Sequence, residues 1–485
     1  MLSGRLEQNI RRIQEDMGNS GDLQIRTLSI SWTRPSPTGV AIIYLDGMAD
    51  VSAIQESVIP SLLDRIPHPT SANSPDLLEV MRSFVLDAGS VLRIPEWEVC
   101  LDAVIAGNAL LLIDGEREAL VLEMCGYEDR GIQETKTQIV VRGPRDAFTE
   151  TLIKNVSLIR RRIKDPRMRV VMQSKGKVSN TNICVMYLEG IAERRIVDEV
   201  FAQLEKVDLR GLFDGQYLEE FFTADKWTLF PTVYNTDRPD SASAMLLEGR
   251  IVIMVDGSPF VLVVPAVLVD FIQSAEDYYQ PVYFSNLIRT LRVLALVIAL
   301  LAPSLYIAVT TFHPDLLPTQ LLLSLSAQRE GIPFPAFIEA LMMEITFEIL
   351  REAGIRMPVT AGQSVAIVGT IVVGQAAVEA GIVSAAMIIV VSITAIASFV
   401  IPSYALGLAI RVHRFFFMAL AATMGIYGLT IGIIVSVLML CRLDSFGVAY
   451  LSPFAPFVAS KQKDAFLRFP FWMLSRSSSE RRRRT

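Results

Sequence analysis

The feature that most constrains the fold is a series of uncharged runs in the C-terminal part of the chain. Residues 293–312 contain no acid or base, and as a helix this run would be about 30 Å long, which matches the hydrocarbon core of a bilayer. Between 357 and 410 the only acid or base is Glu379. We therefore predict an α-helical integral membrane domain over 276–441. Its expected spans lie at about 293–312, 361–378, 385–407 and 415–441.

The N-terminal part of the chain, 1–291, has the mixed acids and bases of a soluble protein. The whole-chain mean hydropathy of +0.41 and hydrophobic content of 51% are averages over two unlike parts. The first residues, MLSGRLEQNIRRIQEDMG, are charged and lack the apolar segment of a secretory signal, so we expect this part to face the cytosol. The net charge of −6 is too small to favour nucleic acid as a partner.

The residue types that usually bind metals or perform catalysis are sparse and scattered. Four cysteines and three histidines are too far apart for a zinc or redox motif. The sequence also lacks a P-loop, a dinucleotide-binding glycine motif, a nucleophile elbow and an HExxH zinc motif. We therefore expect a non-enzymatic protein with no cofactor, no metal site and no catalytic residue. The residues concerned are Cys100, Cys125, Cys184, Cys441, His68, His313 and His413.

The N-terminal part contains an internal repeat. Two segments recur in the same order and at nearly the same offset, which is difficult to obtain by chance. The matching pairs are TGVAIIYLDGMAD (38–50) with TNICVMYLEGIAE (181–193), and AGNALLLIDGEREALVLE (106–123) with EGRIVIMVDGSPFVLVVP (248–265). We predict two related soluble subdomains, at 22–145 and 165–275.

Each repeat has the same order of patterns. A β-branched run ending at Asp-Gly or Glu-Gly is followed by a helical pattern, and two apolar runs then flank Asp114-Gly115 or Asp256-Gly257. Asp-Gly between apolar runs is a strong hairpin signal. The predicted fold is therefore α/β or α+β with antiparallel pairing, and we interpret the two subdomains as an interaction platform.

Three further segments complete the predicted domain organisation. Residues 1–21 form an N-terminal segment, and 146–164 form a connector helix with a basic end. Two interpretations of this helix remain open, a solvated linker or a contact with anionic lipid headgroups or an acidic partner. Residues 442–485 form a basic C-terminal tail that ends in RRRR before the last threonine.

The predicted span 361–378 has two distinct faces. Small residues recur every fourth position on one face, which lets another helix approach closely. They are Gly362, Ala366, Thr370 and Gly374. The other face is apolar and ends in two polar residues, so it suits a pore or ion path, although packing within the chain explains it equally well. Its residues are Val365, Val368, Val372, Gln375 and Glu379.

A charged segment, 336–353, interrupts the apolar part of the chain. On a helical wheel Glu344, Glu348, Arg351 and Glu352 share one face, while Glu339 interrupts the apolar face. We interpret the segment as an amphipathic or re-entrant coupling helix. Its charged face either meets water at the membrane surface or faces a cation path inside a protein-lined cavity.

The basic residues near the spans give the expected orientation. Arg289 and Arg292 precede the first span and the basic tail follows the last, so four crossings would place both ends in the cytosol. Arg411 and Arg414 disagree with that orientation. A fifth crossing through 336–351 would bring them to the cytosolic side but would export the tail.

Several of these segments resemble one known family. The sequence FPAFIEALMMEITFEILREAGIRMP, followed by SVAIVGTIVVGQAAVEAGIVS, IASFVIPSYALGLAIR and SFGVAYLSPFAPF, closely resembles the GerA family of spore germination receptor A subunits. Upstream, GNSGDLQIR, RGPRDAFTETL, SLIRRRI and TDRPDSASAMLLEGRIVIMVDGSPF are similar to family signatures. A paralogous spore membrane protein, SpoVAF, shares the architecture.

The resemblance implies a function that the residues alone do not give. Such A subunits are expected in the inner membrane of bacterial spores, with their N-terminal region facing the cytosol of the spore core. They are expected to form homo-oligomers and to act with a transporter-like B subunit and a lipoprotein C subunit. The implied function is an oligomeric signal transducer and ligand-gated channel for monovalent cations that triggers germination. The alternatives are a non-conducting scaffold, a SpoVAF-like channel and a secondary transporter of the nutrient.

Overall fold

The computed structural model describes residues 1–30, 38–64, 77–84, 90–126, 135, 138, 140–223, 225–356, 374–470 and 472–473, to which all structural statements refer. The chain divides into two compact units. The first, here called the sheet unit, comprises Met1–Ala224 and Val233–Pro265. The second, here called the helical unit, comprises Asp225–Thr232 and Ala266–Thr485.

The sheet unit contains two five-stranded antiparallel sheets with the same strand order. The first sheet has the order β1-β2-β4-β5-β3 and the second the order β6-β7-β9-β10-β8. The first five strands are β1 Leu23–Ile30, β2 Thr38–Leu45, β3 Val91–Ile94, β4 Ala109–Ile113 and β5 Ala119–Leu122. The second five are β6 Met168–Lys175, β7 Thr181–Leu188, β8 Tyr234–Thr236, β9 Ile251–Val255 and β10 Val261–Val264. Identical order in both sheets is what a duplicated unit requires, and both predicted Asp-Gly hairpins are confirmed.

Eight helices accompany these strands in the described part of the sheet unit. They are α1 Leu6–Asp16, α2 from Val51 to Asp64 with a π-helical turn at Ile54–Val58, α3 Leu77–Phe84 and α4 Trp97–Ile105, then α5 Leu152–Arg160, α6 Arg194–Glu205, α7 Gln216–Phe222 and α8 Pro239–Leu247.

The first sheet is buried on both faces. Ile42 and Tyr44 point to one apolar core, whereas Ile43 and Leu45 point to the other. Strands covered on both sides need no polar alternation, which explains the continuous apolar runs.

The first helix of each repeat is bound to its own hairpin. In the first repeat the Asp114 carboxylate accepts a hydrogen bond from the backbone N–H of Leu6 at 3.0 Å. In the second, the Asp256 carboxylate accepts from the N–H of Leu152 at 3.1 Å. A carboxylate at this position binds a backbone donor that the first turn leaves unpaired and favours the positive end of the helix dipole. The helices α1 and α5 therefore occupy equivalent positions.

Asparagine side chains extend this equivalence. The Asn9 amide accepts from the N–H of Ser3 at 2.9 Å and donates to the carbonyl of Ser3 at 2.6 Å. The Asn155 amide makes the same two bonds with the backbone of Thr149, at 2.7 and 2.6 Å. The predicted connector helix is thus the first helix of the second repeat. The predicted subdomains begin at 22 and 165 and so omit these helices, because the recognisable sequence similarity between the repeats begins only at the strands.

A buried ion pair joins the two repeats. The guanidinium of Arg160 in α5 donates to the carboxylate of Asp22 at 2.8 and 3.0 Å, and to the hydroxyl of Ser20 at 2.8 Å. Both charged side chains are at most 1% exposed. The adjacent N–H of Gly21 donates to the carbonyl of Val170 at 2.7 Å. The start of β1 is therefore fixed against the second repeat.

Eight helices form the described part of the helical unit, besides two short 3₁₀ turns. They are α9 Leu268–Ile272, α10 Glu276–Tyr279, α11 Val282–Phe312, α12 Thr319–Arg329, α13 Ala336–Arg356, α14 Gly374–Glu379, α15 Ala385–Phe399 and α16 Tyr404–Arg442. The helices α11 and α16 are long and apolar enough to cross a membrane. A short ribbon, β11 Asp444–Ser445 with β12 Val448–Ala449, follows α16.

Two predicted spans have different boundaries in the structure. The predicted span 385–407 is interrupted, because α15 ends at Phe399 and α16 begins at Tyr404, and Pro402 in this gap cannot continue a helical hydrogen-bond pattern. The predicted span 415–441 is broken at Gly425, which has φ 62° and ψ −138°. The chain reverses there, since a Cβ on Gly432 would lie 2.8 Å from the ring of Phe417.

Candidate functional site

The charged helix α13 lies among the other helices of the helical unit. Ala336 and Ala340 belong to an apolar core with Ile307 of α11 and Met387 of α15. Three acids of α13 each contact an arginine from another helix. This set, here called the ion-pair row, comprises Glu339 with Arg329, Glu344 with Arg414, and Glu348 with Arg411.

The central pair of the row is the most deeply buried. Glu344 is fully buried and the side chain of Arg414 is 2% exposed, and Nη1 of Arg414 lies 2.5 Å from a Glu344 oxygen. Nε of Arg414 donates to the backbone carbonyl of Ala299 at 2.6 Å. That carbonyl has no helical donor, because the residue four positions later is Pro303, which lacks an N–H. Arg414 thus binds the carbonyl that Pro303 leaves unpaired.

The pair of Glu348 with Arg411 includes a second arginine, Arg351. The carboxylate of Glu348 accepts from Arg351 at 2.5 and 2.6 Å and from Arg411 at 3.1 Å. The first contact joins positions three apart on α13, whereas the second comes from α16. The side chain of Arg411 is 10% exposed. Two arginines share this one carboxylate, so the row carries positive as well as negative charge.

The remaining acid, Glu339, is bound at a helix N-terminus. It is fully buried, and one carboxylate oxygen accepts from the backbone N–H and the hydroxyl of Ser384 at 3.1 and 2.9 Å. Ser384 is the N-cap of α15, so the helix dipole favours a negative charge here. Nε of Arg329 lies 3.5 Å from the other oxygen.

These contacts correct the simpler interpretation of the charged face. The predicted face of Glu344, Glu348, Arg351 and Glu352 does not meet water as a whole, because Glu344 is fully buried. Only its C-terminal end is open, where Glu352 accepts from Arg356 at 2.8 Å. A helical wheel shows one helix and could not show the arginines of α12 and α16. The sequence does contain a signal for this pairing. Arg411 and Arg414 are three positions apart and Glu344 and Glu348 are four apart, so each pair lies on one side of its helix.

The structure describes only part of the predicted pore helix. Gln375 donates to the Glu379 carboxylate at 3.0 Å on the exposed helix α14. A Cβ on Gly374 would meet no described atom within 4 Å. The other predicted positions, Gly362, Val365, Ala366, Val368, Thr370 and Val372, lie outside the described residues. Neither helix packing nor an ion path is therefore tested at these positions.

A second charged cluster surrounds Asp277 at the start of α11. Its carboxylate, 1% exposed, accepts from Arg289 at 3.0 Å and from Arg292 at 2.7 Å. Arg289 also bonds Asp464 at 2.8 Å, and Arg468 donates to the carbonyl of Asp277 at 2.6 Å. These arginines were expected to mark the membrane surface, yet their charges are held by protein groups. The cluster joins the start of α11 to the C-terminal segment.

The described residues do not provide the clustered ligands of a metal site. They contain no group of three or more His, Cys, Asp or Glu side chains placed to hold a metal ion. Two buried cysteines in the sheet unit have raised pKa values because burial disfavours the thiolate. The pKa of Cys100 rises to about 11 and that of Cys184 rises further, so neither forms a reactive thiolate near neutral pH.

Comparisons with known proteins give one consistent result. Residues 11–480 match the family model described as Bacillus/Clostridium GerA spore germination protein. Spore germination protein KA of Bacillus subtilis is 45% identical over 97% of this chain and 86% of its own length. Spore germination protein GerLA of Bacillus cereus is 34% identical over 98% of this chain and 95% of its own length.

One solved structure is also similar. It is the crystal structure of the N-terminal domain of the A subunit of the Bacillus megaterium spore germinant receptor GerK3, at 32% identity and a TM-score of 0.43. The match covers 55% of this chain and 97% of that chain.

Proposed function

Because this chain belongs to the GerA family of spore germination proteins and has a role in spore germination, we propose that it is the A subunit of a nutrient germinant receptor. In this proposal it is an oligomeric signal transducer in the inner membrane of the spore, with the sheet unit in the cytosol. It acts with a transporter-like B subunit and a lipoprotein C subunit. Nutrient binding to the complex opens a path for monovalent cations.

The observation that carries the proposal is the ion-pair row. Charged side chains inside a membrane domain are costly and usually serve transport or switching. Glu339 and Glu344 are fully buried between helices, and each lies beside an arginine from another helix. Movement of α16 against α13 would separate Arg411 and Arg414 from their acids. Such a change would expose carboxylates that attract cations.

The proposed path itself runs along the 361–378 segment. Val365, Val368 and Val372 would form its apolar part, and Gln375 with Glu379 would form its polar end. The small residues Gly362, Ala366, Thr370 and Gly374 would let neighbouring copies approach closely. Gly374→Leu should then abolish assembly while leaving the unfolding temperature of the single chain unchanged.

A flux assay on the assembled receptor tests the channel. The complex, reconstituted in phospholipid vesicles loaded with potassium, should release potassium when the nutrient is added. Gln375→Ala should change the release rate by about tenfold, as expected for a polar group lining an ion path. Gln320→Ala, on the exposed face of α12, is the matched control and should leave release unchanged.

Other results would favour the other functions. Unchanged release in Gln375→Ala and Val372→Ala complexes of normal size would favour a non-conducting scaffold. Release by this chain without B and C subunits or nutrient would favour a channel like that of the spore paralogue. Uptake of labelled nutrient by vesicles that contain only this chain would favour a secondary transporter.

A further inference from the structure

An exposed tryptophan lies on the one segment that interrupts the sheet unit. Residues Asp225–Thr232 belong to the helical unit, although the residues before and after them belong to the sheet unit. Within this segment Trp227 is 94% exposed and Leu229 is 50% exposed. Tryptophan is enriched where proteins meet the membrane–water interface, because its ring is apolar and its N–H is polar.

The segment holds Trp227 in a defined turn. The N–H of Trp227 donates to the Asp225 carboxylate at 3.2 Å, and the N–H of Thr228 donates to the Asp225 carbonyl at 3.1 Å. The hydroxyl of Thr228 then accepts from the N–H of Phe230 at 3.2 Å. Asp225 and Thr228 therefore close the turn on both sides of the indole, and the exposure of Trp227 is built into the local structure.

The end of the segment is fixed to the apolar helices. Phe230 is buried, and its ring lies 4.7 Å from the ring of His413 in α16. The carbonyl of Thr232 accepts from the hydroxyl of Ser445, just after α16 ends, at 2.7 Å. The segment thus contacts the first arm of α16 at His413 and the residues just after α16 ends. The segment that carries Trp227 is consequently fixed to the helical unit.

The first arm of α16 has an apolar and open surface. Four large side chains recur every fourth residue and are between 43% and 69% exposed. They are Tyr404, Leu408, Val412 and Phe416. In a helix that is long and apolar enough to cross a membrane, such a stripe faces lipid. Trp227, preceded in the chain by the exposed Lys226, has the composition of a membrane-interface anchor.

We propose that the turn 225–232 inserts Trp227 into the headgroup region of the bilayer beside α16. The indole ring would bury its apolar face among the upper acyl carbons while its N–H stays with the polar headgroups. Lys226 would meet the phosphate groups of anionic lipids. The helical unit then has a lipid contact through a turn that lies, in chain order, between α7 and β8.

Quenching by brominated lipids tests this contact directly. The full chain is reconstituted in phosphatidylglycerol and phosphatidylethanolamine vesicles, with and without lipids brominated at the upper acyl carbons. All samples carry Trp472→Phe, because Trp472 is also exposed, at 66%. The emission lost to brominated lipid should be at least about threefold smaller in Trp227→Phe than in its parent. Trp97→Phe, at a residue 4% exposed in the sheet unit, is the matched control and should lose as much as the parent.

Two outcomes would overturn the proposal. One is equal quenching in the parent and in Trp227→Phe, which is expected if another protein or water surrounds the indole. The other is equal quenching of Trp227 by aqueous acrylamide in vesicles and in denaturant. Because the side chain contacts little else in the folded chain, Trp227→Phe should elute and unfold like the parent, and Trp227→Tyr should retain membrane contact in a flotation assay.

Discussion

Arg414 of α16 binds the backbone carbonyl of Ala299 that Pro303 leaves without a helical donor, and the same guanidinium binds Glu344. Three helices therefore meet at one side chain. A proline inside a membrane helix is tolerated where a neighbour satisfies the freed carbonyl. This relationship explains why a buried cation is present in an otherwise apolar helix and why its partner carboxylate lies on α13.

The first prediction concerns removal of one partner of this pair. Glu344→Ala leaves the Arg414 charge buried without its carboxylate, which should lower the free energy of unfolding by about 3–5 kcal/mol. Thermal unfolding in detergent measures the loss. Glu352→Ala is the matched control, because the Glu352 side chain is 58% exposed, and it should change stability little. A Glu344→Ala chain as stable as the parent would show that Arg414 has another partner in the membrane.

A second prediction tests the reversal of α16 at Gly425. Its φ of 62° with ψ −138° suits glycine, and an added Cβ would lie 2.9 Å from Cβ of Phe312. Gly425→Ala should therefore cost about 1–3 kcal/mol through backbone strain and overlap. Gly407→Ala in the same helix, where a Cβ would meet no described atom within 4 Å, should leave the unfolding temperature unchanged. Equal behaviour of the two variants would argue against the reversal.

A third prediction concerns the pair that joins the two repeats. Asp22→Ala would leave the fully buried Arg160 without its carboxylate, so the sheet unit should lose about 3–5 kcal/mol of stability. Chemical unfolding followed by circular dichroism measures the loss. Asp165→Ala removes an ion pair whose arginine side chain is 47% exposed, and it should cost at most about 1 kcal/mol. Similar losses in both variants would contradict the structural role given to Arg160.

A fourth prediction follows from Glu219 on α7. Burial of its carboxyl group, with a smaller contribution from Asp214, raises its pKa from 4.5 to about 7. The folded chain therefore binds this proton more tightly than the unfolded chain. Lowering the pH from about 8 to about 5 should raise the free energy of unfolding by on the order of 2–3 kcal/mol through this group.

Glu219→Gln, which has no proton to bind, should lose this part of the pH dependence. Glu220→Gln is the neighbouring control on the exposed side of the same helix and should keep it. Stability that falls between pH 8 and pH 5 by the same amount in all three chains would contradict the assignment to Glu219.

Much of the sheet unit could be predicted from the sequence, for local reasons. The Asp-Gly hairpins, the strands before them and the helices after Gly47 and Gly190 follow from turn residues and apolar runs in short windows. The contacts of Asp114 and Asp256 with the first helix of each repeat could not be predicted in this way. These contacts join residues more than a hundred positions apart, and the helices α1 and α5 have few identical residues.

In the helical unit, the sequence predicted apolar helices better than their charged partners. Long uncharged runs predict spans directly. The partners of Glu339, Glu344 and Glu348 could not be predicted, because each arginine comes from another helix. Which side chains pair between two helices depends on how each helix is rotated about its axis and how far it is shifted along it. The periodicity of one sequence segment specifies neither. The residues from 357 to 373 stay predictions.

Each repeat of the sheet unit ends in a hairpin that is bound to the beginning of the same repeat through Asp114 or Asp256. In each repeat, a hydrogen bond therefore connects the end of the repeat to its beginning. A gene segment that encodes such a unit encodes both partners of the contact between its beginning and its end. Its duplication adds a second copy in one step, and the pair of Asp22 with Arg160 is among the contacts that then join the copies.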